Sequence, residues 1–232
     1  MTGHCLVDYD NLEHRDRELG LAVLARRIAA AVSADKPGLK ALSLRLYGGW
    51  YDESGLTREG TRLTQVFGSI FPFPVKIDGA WLNIRCEIAS TLVDHPADIL
   101  PFTLRTKRGL KIRPRSVIPP NCTSPTACGV LHVQAWVRGQ CPISGCEVPT
   151  ENAFVYREQK LVDTLLCCDL VALSFRKPAE PIILVSNDDD MIPALILGAK
   201  LGGAVYKVQN ATRLTTAYDP LCQQSGVTFL SI

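Results

Sequence analysis

The chain has 232 residues, 47% of them hydrophobic and 21% charged, with a formal net charge of +2 and a pI near 8.1. That length suits one α/β domain carrying an insertion, and the ordinary apolar content excludes a disordered or fibrous chain. The charge is too mild to identify a nucleic-acid binder, and no apolar run approaches the roughly 20 residues that span a bilayer.

The polar start, Met1 to Cys5, lacks the layout of a signal peptide, so the expected location is the cytoplasm and no membrane partner is expected. Cys5-Leu6-Val7-Asp8 is a short apolar run ending in an acid. After it the spacing predicts a helix over about 17–32, where Leu21, Leu24, Ala25 and Ile28 recur every three or four residues. Ala41 to Tyr47 alternates Leu42, Leu44 and Leu46 as a strand does and ends at Gly48-Gly49. Residues 57–71 predict a second helix closed by Pro72 and Pro74. Over 81–93, Leu82, Ile84, Cys86 and Ile88 alternate with polar partners and predict a half-exposed strand.

Residues 105–150 break this rhythm with Pro, Gly and Cys and read as an insertion. The rhythm resumes with a predicted helix over 158–175, then Pro181 to Val185 as a buried parallel strand. A helix over 192–201, a strand over 204–208, a short helix opened by Asp219-Pro220 and a last strand over 227–230 complete the chain. Strands alternating with helices imply a largely parallel sheet covered on both faces, with the site in the loops at the carboxyl ends of the strands.

Two strands end directly in acids, at Asp8-Tyr9-Asp10-Asn11 and at Ser186-Asn187-Asp188-Asp189-Asp190. In a parallel sheet both ends lie on one edge, so Asp8, Asp188 and Asp190 are expected to converge there. Two carboxylates about 4 Å apart repel by roughly 4 kcal/mol at an effective dielectric near 20, so protons or a cation must offset them. Hard oxygen ligands suit Mg²⁺ or Mn²⁺, which polarises a phosphate, activates a water and steadies a leaving oxygen. Individually the acids also fit ordinary roles: Asp189 as a helix N-cap, and Asp8 and Asp10 in a strand-ending turn supported by Asn11. Asp163 interrupts the apolar pattern of Leu161, Val162, Leu165 and Leu166, with Lys160 one turn earlier. Spacing alone reads it either as a solvated flank or as a ligand aimed at the site.

Nine cysteines without an export signal argue for thiols or metal ligands over disulfides. Cys5, Cys86, Cys167, Cys168 and Cys222 sit in apolar stretches, as small buried hydrophobes do. Cys122, Cys128, Cys141 and Cys146 form a separate group. They read either as ligands of a structural Zn²⁺, with His132 as a substitute, or as four free thiols in a loop. Before them, Arg105, Lys107, Arg108, Lys111, Arg113 and Arg115 form a dense basic run. This is either a solvated strand or a phosphate-tracking surface whose RNA binding would be steeply salt-dependent.

Three blocks, taken in order, resemble the motifs of the NYN domain, a branch of the PIN-like nucleases. They are Val7-Asp8-Tyr9-Asp10-Asn11-Leu12, Lys160 to Leu170 around Asp163 and Asp169, and Val185 to Pro193 with its Ser-x-Asp-x-Asp-x-x-Pro spacing. The resemblance covers about residues 4–70 and 151–232. It implies a PIN-like three-layer α/β/α fold over 1–232, interrupted at about 105–150, and metal-dependent cleavage of RNA, with single-stranded DNA as a second candidate substrate. Asp8, Asp163, Asp188 and Asp190 would then be the metal-binding acids, with Asn11, Ser186, Lys160 and Asp10 in support. Asn187 stands where the family usually has glycine, a mild exchange because Asn tolerates a left-handed backbone, and Met191 where an aromatic is usual. A homo-oligomer is compatible with this reading.

Two rivals remain at this stage. A haloacid-dehalogenase-type phosphatase would use Asp8 and Asp10 as nucleophile and acid, but Asn11-Leu12 departs from that pattern and Asp163 goes unexplained. An RNA- or protein-binding module would keep the fold without turnover.

Overall fold

The computed structural model describes residues 1–111, 129–209 and 216–232. Its chain divides into two units, one made of Met1–Thr103 and Gln159–Ile232 and the other of Leu104–Glu158. The first unit opens with β1 (Thr2–Asp8), α1 (His14–Leu19), α2 (Leu21–Asp35) and β2 (Ala41–Tyr47). A small ribbon, β3 (Tyr51–Asp52) with β4 (Gly55–Leu56), precedes α3 (Arg58–Ile70), β5 (Phe73–Ile77) and β6 (Ala80–Ile88). The second unit holds β7 (Leu104–Arg108), α4 (Val130–Val137), α5 (Thr150–Ala153) and β8 (Val155–Gln159) up to Glu158, the last residue of β8 belonging to the first unit. The first unit then closes with α6 (Val162–Arg176), β9 (Pro181–Val185), α7 (Ile192–Lys200), β10 (Ala204–Gln209), α8 (Asp219–Gln224) and β11 (Thr228–Ser231).

Among the described residues the central sheet has seven strands in the order β11-β10-β9-β1-β2-β6-β5. Every neighbouring pair is parallel except the β5–β6 hairpin at one edge. The strand order reverses between β1 and β9: β2 and β6 follow outward on one side, β10 and β11 on the other. A reversal of this kind opens a crevice at the carboxyl ends of the two central strands, because the connections leaving them depart to opposite faces.

Side-chain alternation along β1 shows how both faces are covered. Cys5 and Val7 pack with Leu24 and Ile28 of α2 and Leu63 of α3. Leu6 packs on the opposite face with Leu166 and Leu170 of α6 and Leu195 of α7. β9 is buried along its whole length, as expected of a central parallel strand. Among the described residues no helix is long and apolar enough to cross a membrane.

Four expectations need correction. The helix expected over 17–32 is broken by Gly20, whose φ of 82° lies in the left-handed region and separates α1 from α2. The strand expected over 81–93 stops at Ile88. The edge strand β5 went unexpected because Pro74 and half-exposed residues hide its pattern; it turns into β6 through Asp78 and Gly79, both at positive φ. The helix expected from residue 158 starts only at Val162: residues 155–159 are strand, and Leu161 at φ 66° makes the corner.

In the second unit β7 and β8 pair as a two-stranded ribbon. Gly109 N–H donates to the Phe154 carbonyl at 2.8 Å, and the Phe154 ring meets Trp136 edge-on at 5.0 Å.

Candidate functional site

The reversal of strand order brings the two acid-tipped strands side by side. β1 and β9 are hydrogen-bonded neighbours, with Val7 opposite Val185, so Asp8 and Ser186 follow at the same level. Asp8 is 2% exposed and Ser186 4% exposed. The Ser186 hydroxyl donates to Asp8 Oδ2 at 2.7 Å, and Asn11 Nδ2 donates to the same oxygen at 2.8 Å. The Asp188 backbone N–H in turn donates to Ser186 Oγ at 3.0 Å. One hydroxyl therefore ties the end of β1 to the loop after β9.

That loop forms a 3-10 turn over Asp189–Met191. Asp188, and not Asp189, is its N-cap, with Oδ1 accepting from the Asp190 N–H at 2.9 Å. Asp190 and Asp189 are exposed, and Asp188 is half-buried. Asp163 sits in the first turn of α6, which packs over the same face of the sheet as Leu6. Among the described residues no hydrogen bond or ion pair engages its carboxylate.

Partial desolvation holds the Asp163 carboxyl above its usual value, and the charges of Asp8, Asp188 and Asp190 push it further the same way. All four predicted acids therefore share one electrostatic neighbourhood. Burial likewise raises Asp8, against the hydrogen bonds from Asn11 and Ser186 that favour its ionised form, and Asp10 adds to the rise.

The other expected residues are placed differently. Asp10 Oδ2 accepts from the Gly49 N–H at 3.3 Å and from the Gln159 amide, so this carboxylate braces a loop. Gly48 leaves no room for a side chain there, since an added Cβ would come within 2.8 Å of Asp10 Oδ2 and Trp50. Lys160 is exposed and precedes the helix, so it does not share a helical face with Asp163. In the second unit, Lys107, Arg108 and Lys111 are exposed and Arg105 is half-buried; Lys111 Nζ lies 3.8 Å from Glu158. Cys141 and Cys146 are half-buried free thiols. Cys122, Cys128, Arg113, Arg115 and the His132 side chain lie outside the described residues.

Cys167, expected as a small buried hydrophobe, is half-buried and lies one turn beyond Asp163. Its thiol is pushed up to about 11, first by desolvation and then by Asp163, with smaller contributions from Asp190 and Asp188, and it contacts Met191 Sδ at 3.6 Å. The four-residue spacing from Asp163 was the available signal. Sequence reasoning missed the partners of Asp169, described below.

The donor chemistry suits a hard divalent cation: four carboxylates, like charges reaching Asp163, and no basic partner acting on it. Among the described residues, however, no three His, Cys, Asp or Glu side chains are drawn into a tight ligand set. No family model matches the chain, and no curated protein or solved structure does.

Proposed function

We propose that this chain is a metal-dependent endoribonuclease of the NYN branch of PIN-like proteins. What supports the reading is that Asp8, Asp188 and Asp190 each act electrostatically on Asp163, beside the point where the strand order reverses. Fold-forming carboxylates are ordinarily given donors; this group is given like charge. The motif resemblance in Sequence analysis points the same way.

In this reading Asp8, Asp163, Asp188 and Asp190 hold one or two Mg²⁺ or Mn²⁺ ions. When bound, such an ion polarises the phosphodiester, makes water a better nucleophile and offsets charge on the leaving oxygen. The chain's own groups set the frame for this. Asn11 and Ser186 hold Asp8 through Oδ2 and so select one carboxylate orientation. Ser186 also holds the Asp188 backbone, which keeps the two loops in step. The basic residues Arg105, Lys107, Arg108 and Lys111 would engage RNA phosphates from the second unit. A phosphatase using Asp8 with Asp10 fits less well, because Asp10 is engaged by Gly49 and Gln159.

The test is cleavage of an end-labelled single-stranded RNA by the purified full chain with Mg²⁺ or Mn²⁺. Cleavage should vanish with EDTA and fall by at least about 100-fold in Asp8→Asn and Asp188→Asn. Cleavage that survives both substitutions would assign the activity elsewhere. No cleavage with either ion would favour a silent RNA-binding module.

A further inference from the structure

Asp169, on the same helix as Asp163, is fully buried, and nothing in the proposed chemistry uses it. Two hydrogen-bond donors and a guanidinium from other parts of the chain surround it. Tyr47 Oη donates to Oδ2 at 2.7 Å, and Arg45 Nε lies 3.2 Å from the same oxygen as an ion pair without hydrogen-bond alignment. The Val93 N–H donates to Oδ1 at 2.8 Å. Arg45 is held in turn by Glu87 at 2.5 Å and by the carbonyl and hydroxyl of Thr91.

Tyr47 stands directly opposite Asp8 in the β1–β2 register, and the Tyr9 N–H donates to its carbonyl at 2.9 Å. Its side chain packs with Leu6, Leu166 and Leu170, on the face that α6 covers. The residue beside Asp8 therefore grips the helix that carries Asp163. α6 has no side-chain cap at its start: Leu161 occupies the N-cap in a left-handed conformation, and Asp163 itself has no hydrogen-bond partner among the described residues. A slip of α6 by one residue moves Asp169 about 1.5 Å along the axis, enough to break its contacts and leave a buried carboxylate without donors.

We propose that Asp169 is a positioning residue: through Tyr47, Arg45 and the Val93 backbone it holds α6 in one register and thereby keeps Asp163 at the Asp8 site. The consequence for metal binding rests on the nuclease reading. The mechanical part does not.

Asp169 substitutions risk unfolding, so the test uses Tyr47→Phe, with Tyr206→Phe as a matched control. Tyr206 Oη makes the same kind of bond, 2.8 Å to Asp35, on another strand. Amide hydrogen exchange in the metal-free full chain reads the hold on α6, and Mn²⁺ titration followed by water-proton relaxation reads the site. In Tyr47→Phe, exchange over 162–169 should speed up about tenfold, the value of one lost hydrogen bond. Mn²⁺ affinity should fall about tenfold or more. Tyr206→Phe should leave both at wild-type values. The proposal is overturned if Tyr47→Phe leaves exchange in α6 unchanged, if Tyr206→Phe matches it, or if exchange speeds up without any loss of Mn²⁺ affinity. If the wild-type chain neither binds Mn²⁺ nor cuts RNA, the nuclease reading fails, and exchange still decides whether Asp169 holds the helix.

Discussion

Two aspartates on α6 live in opposite surroundings. Asp169 is enclosed by donors: a tyrosine hydroxyl, a backbone N–H and a guanidinium. Asp163 is faced by three carboxylates and makes no hydrogen bond among the described residues. Burial raises the carboxyl of both above the usual value, but at Asp169 the neighbours pull it back down, whereas at Asp163 they push it further up. The first arrangement compensates a buried charge within the protein. The second leaves Asp163, which is exposed to solvent, among like charges and without a donor from the described residues.

The contrast is most easily broken at Asp169. Asp169→Ala leaves Arg45 with the exposed Glu87 as its charge partner among the described residues and deprives the Val93 N–H and Tyr47 hydroxyl of their acceptor. Urea denaturation should show a loss of about 3 kcal/mol; a loss near zero would mean that the cluster adds nothing to the fold. A smaller effect is expected at Ser186, where Ser186→Ala removes one donor from Asp8 and the acceptor of the Asp188 N–H. The same measurement should record about 1–3 kcal/mol, accompanied by at least about a tenfold drop in RNA cleavage if Ser186 orders the site.

The smallest effect carries the opposite sign. Because the folded-state value of Asp163 is raised, its ionisation opposes folding. That penalty is absent below the ordinary carboxylate pKa of about 3.9, grows as pH rises through the raised folded value, and stays constant above it. Asp163→Asn should therefore raise the Tm of the metal-free chain slightly at neutral pH, because Asp163 is exposed and solvent screens the effect, with the gain fading towards about pH 4. A thermal scan that finds the variant less stable at neutral pH would show that Asp163 is compensated after all.

Much of this arrangement was readable before any coordinates. β9 matches its expected bounds because uninterrupted burial leaves a dense apolar run that ends where the strand ends, and β2 because Leu42, Leu44 and Leu46 alternate up to Tyr47. Parallel strands placed Asp8 and the Ser186–Asp190 loop on one sheet edge; that β1 and β9 are direct neighbours was not readable from the sequence. Asp163 did not follow from spacing, since an acid beside an apolar stripe reads equally well as a solvated flank; motif resemblance singled it out. Asp169 was harder still. Its sequence neighbours are cysteines and leucines, and its hydroxyl donor, Tyr47, lies 122 residues away. Gly20 and Leu161 deceived the helix reading for a related reason: a single left-handed residue ends one element and starts another without altering the surrounding apolar pattern.

The pairing of β1 with β9 also governs when the acids can meet during synthesis. Ile182 must emerge before it can pair with His4, and at about 5–20 residues per second this takes roughly 10–35 s after β1 is made. Throughout that interval the nascent chain carries Asp8 without Ser186, Asp188 or Asp190. The ribosome therefore adds the whole stretch from β1 to β9 before the carboxylates of the two strands can lie side by side.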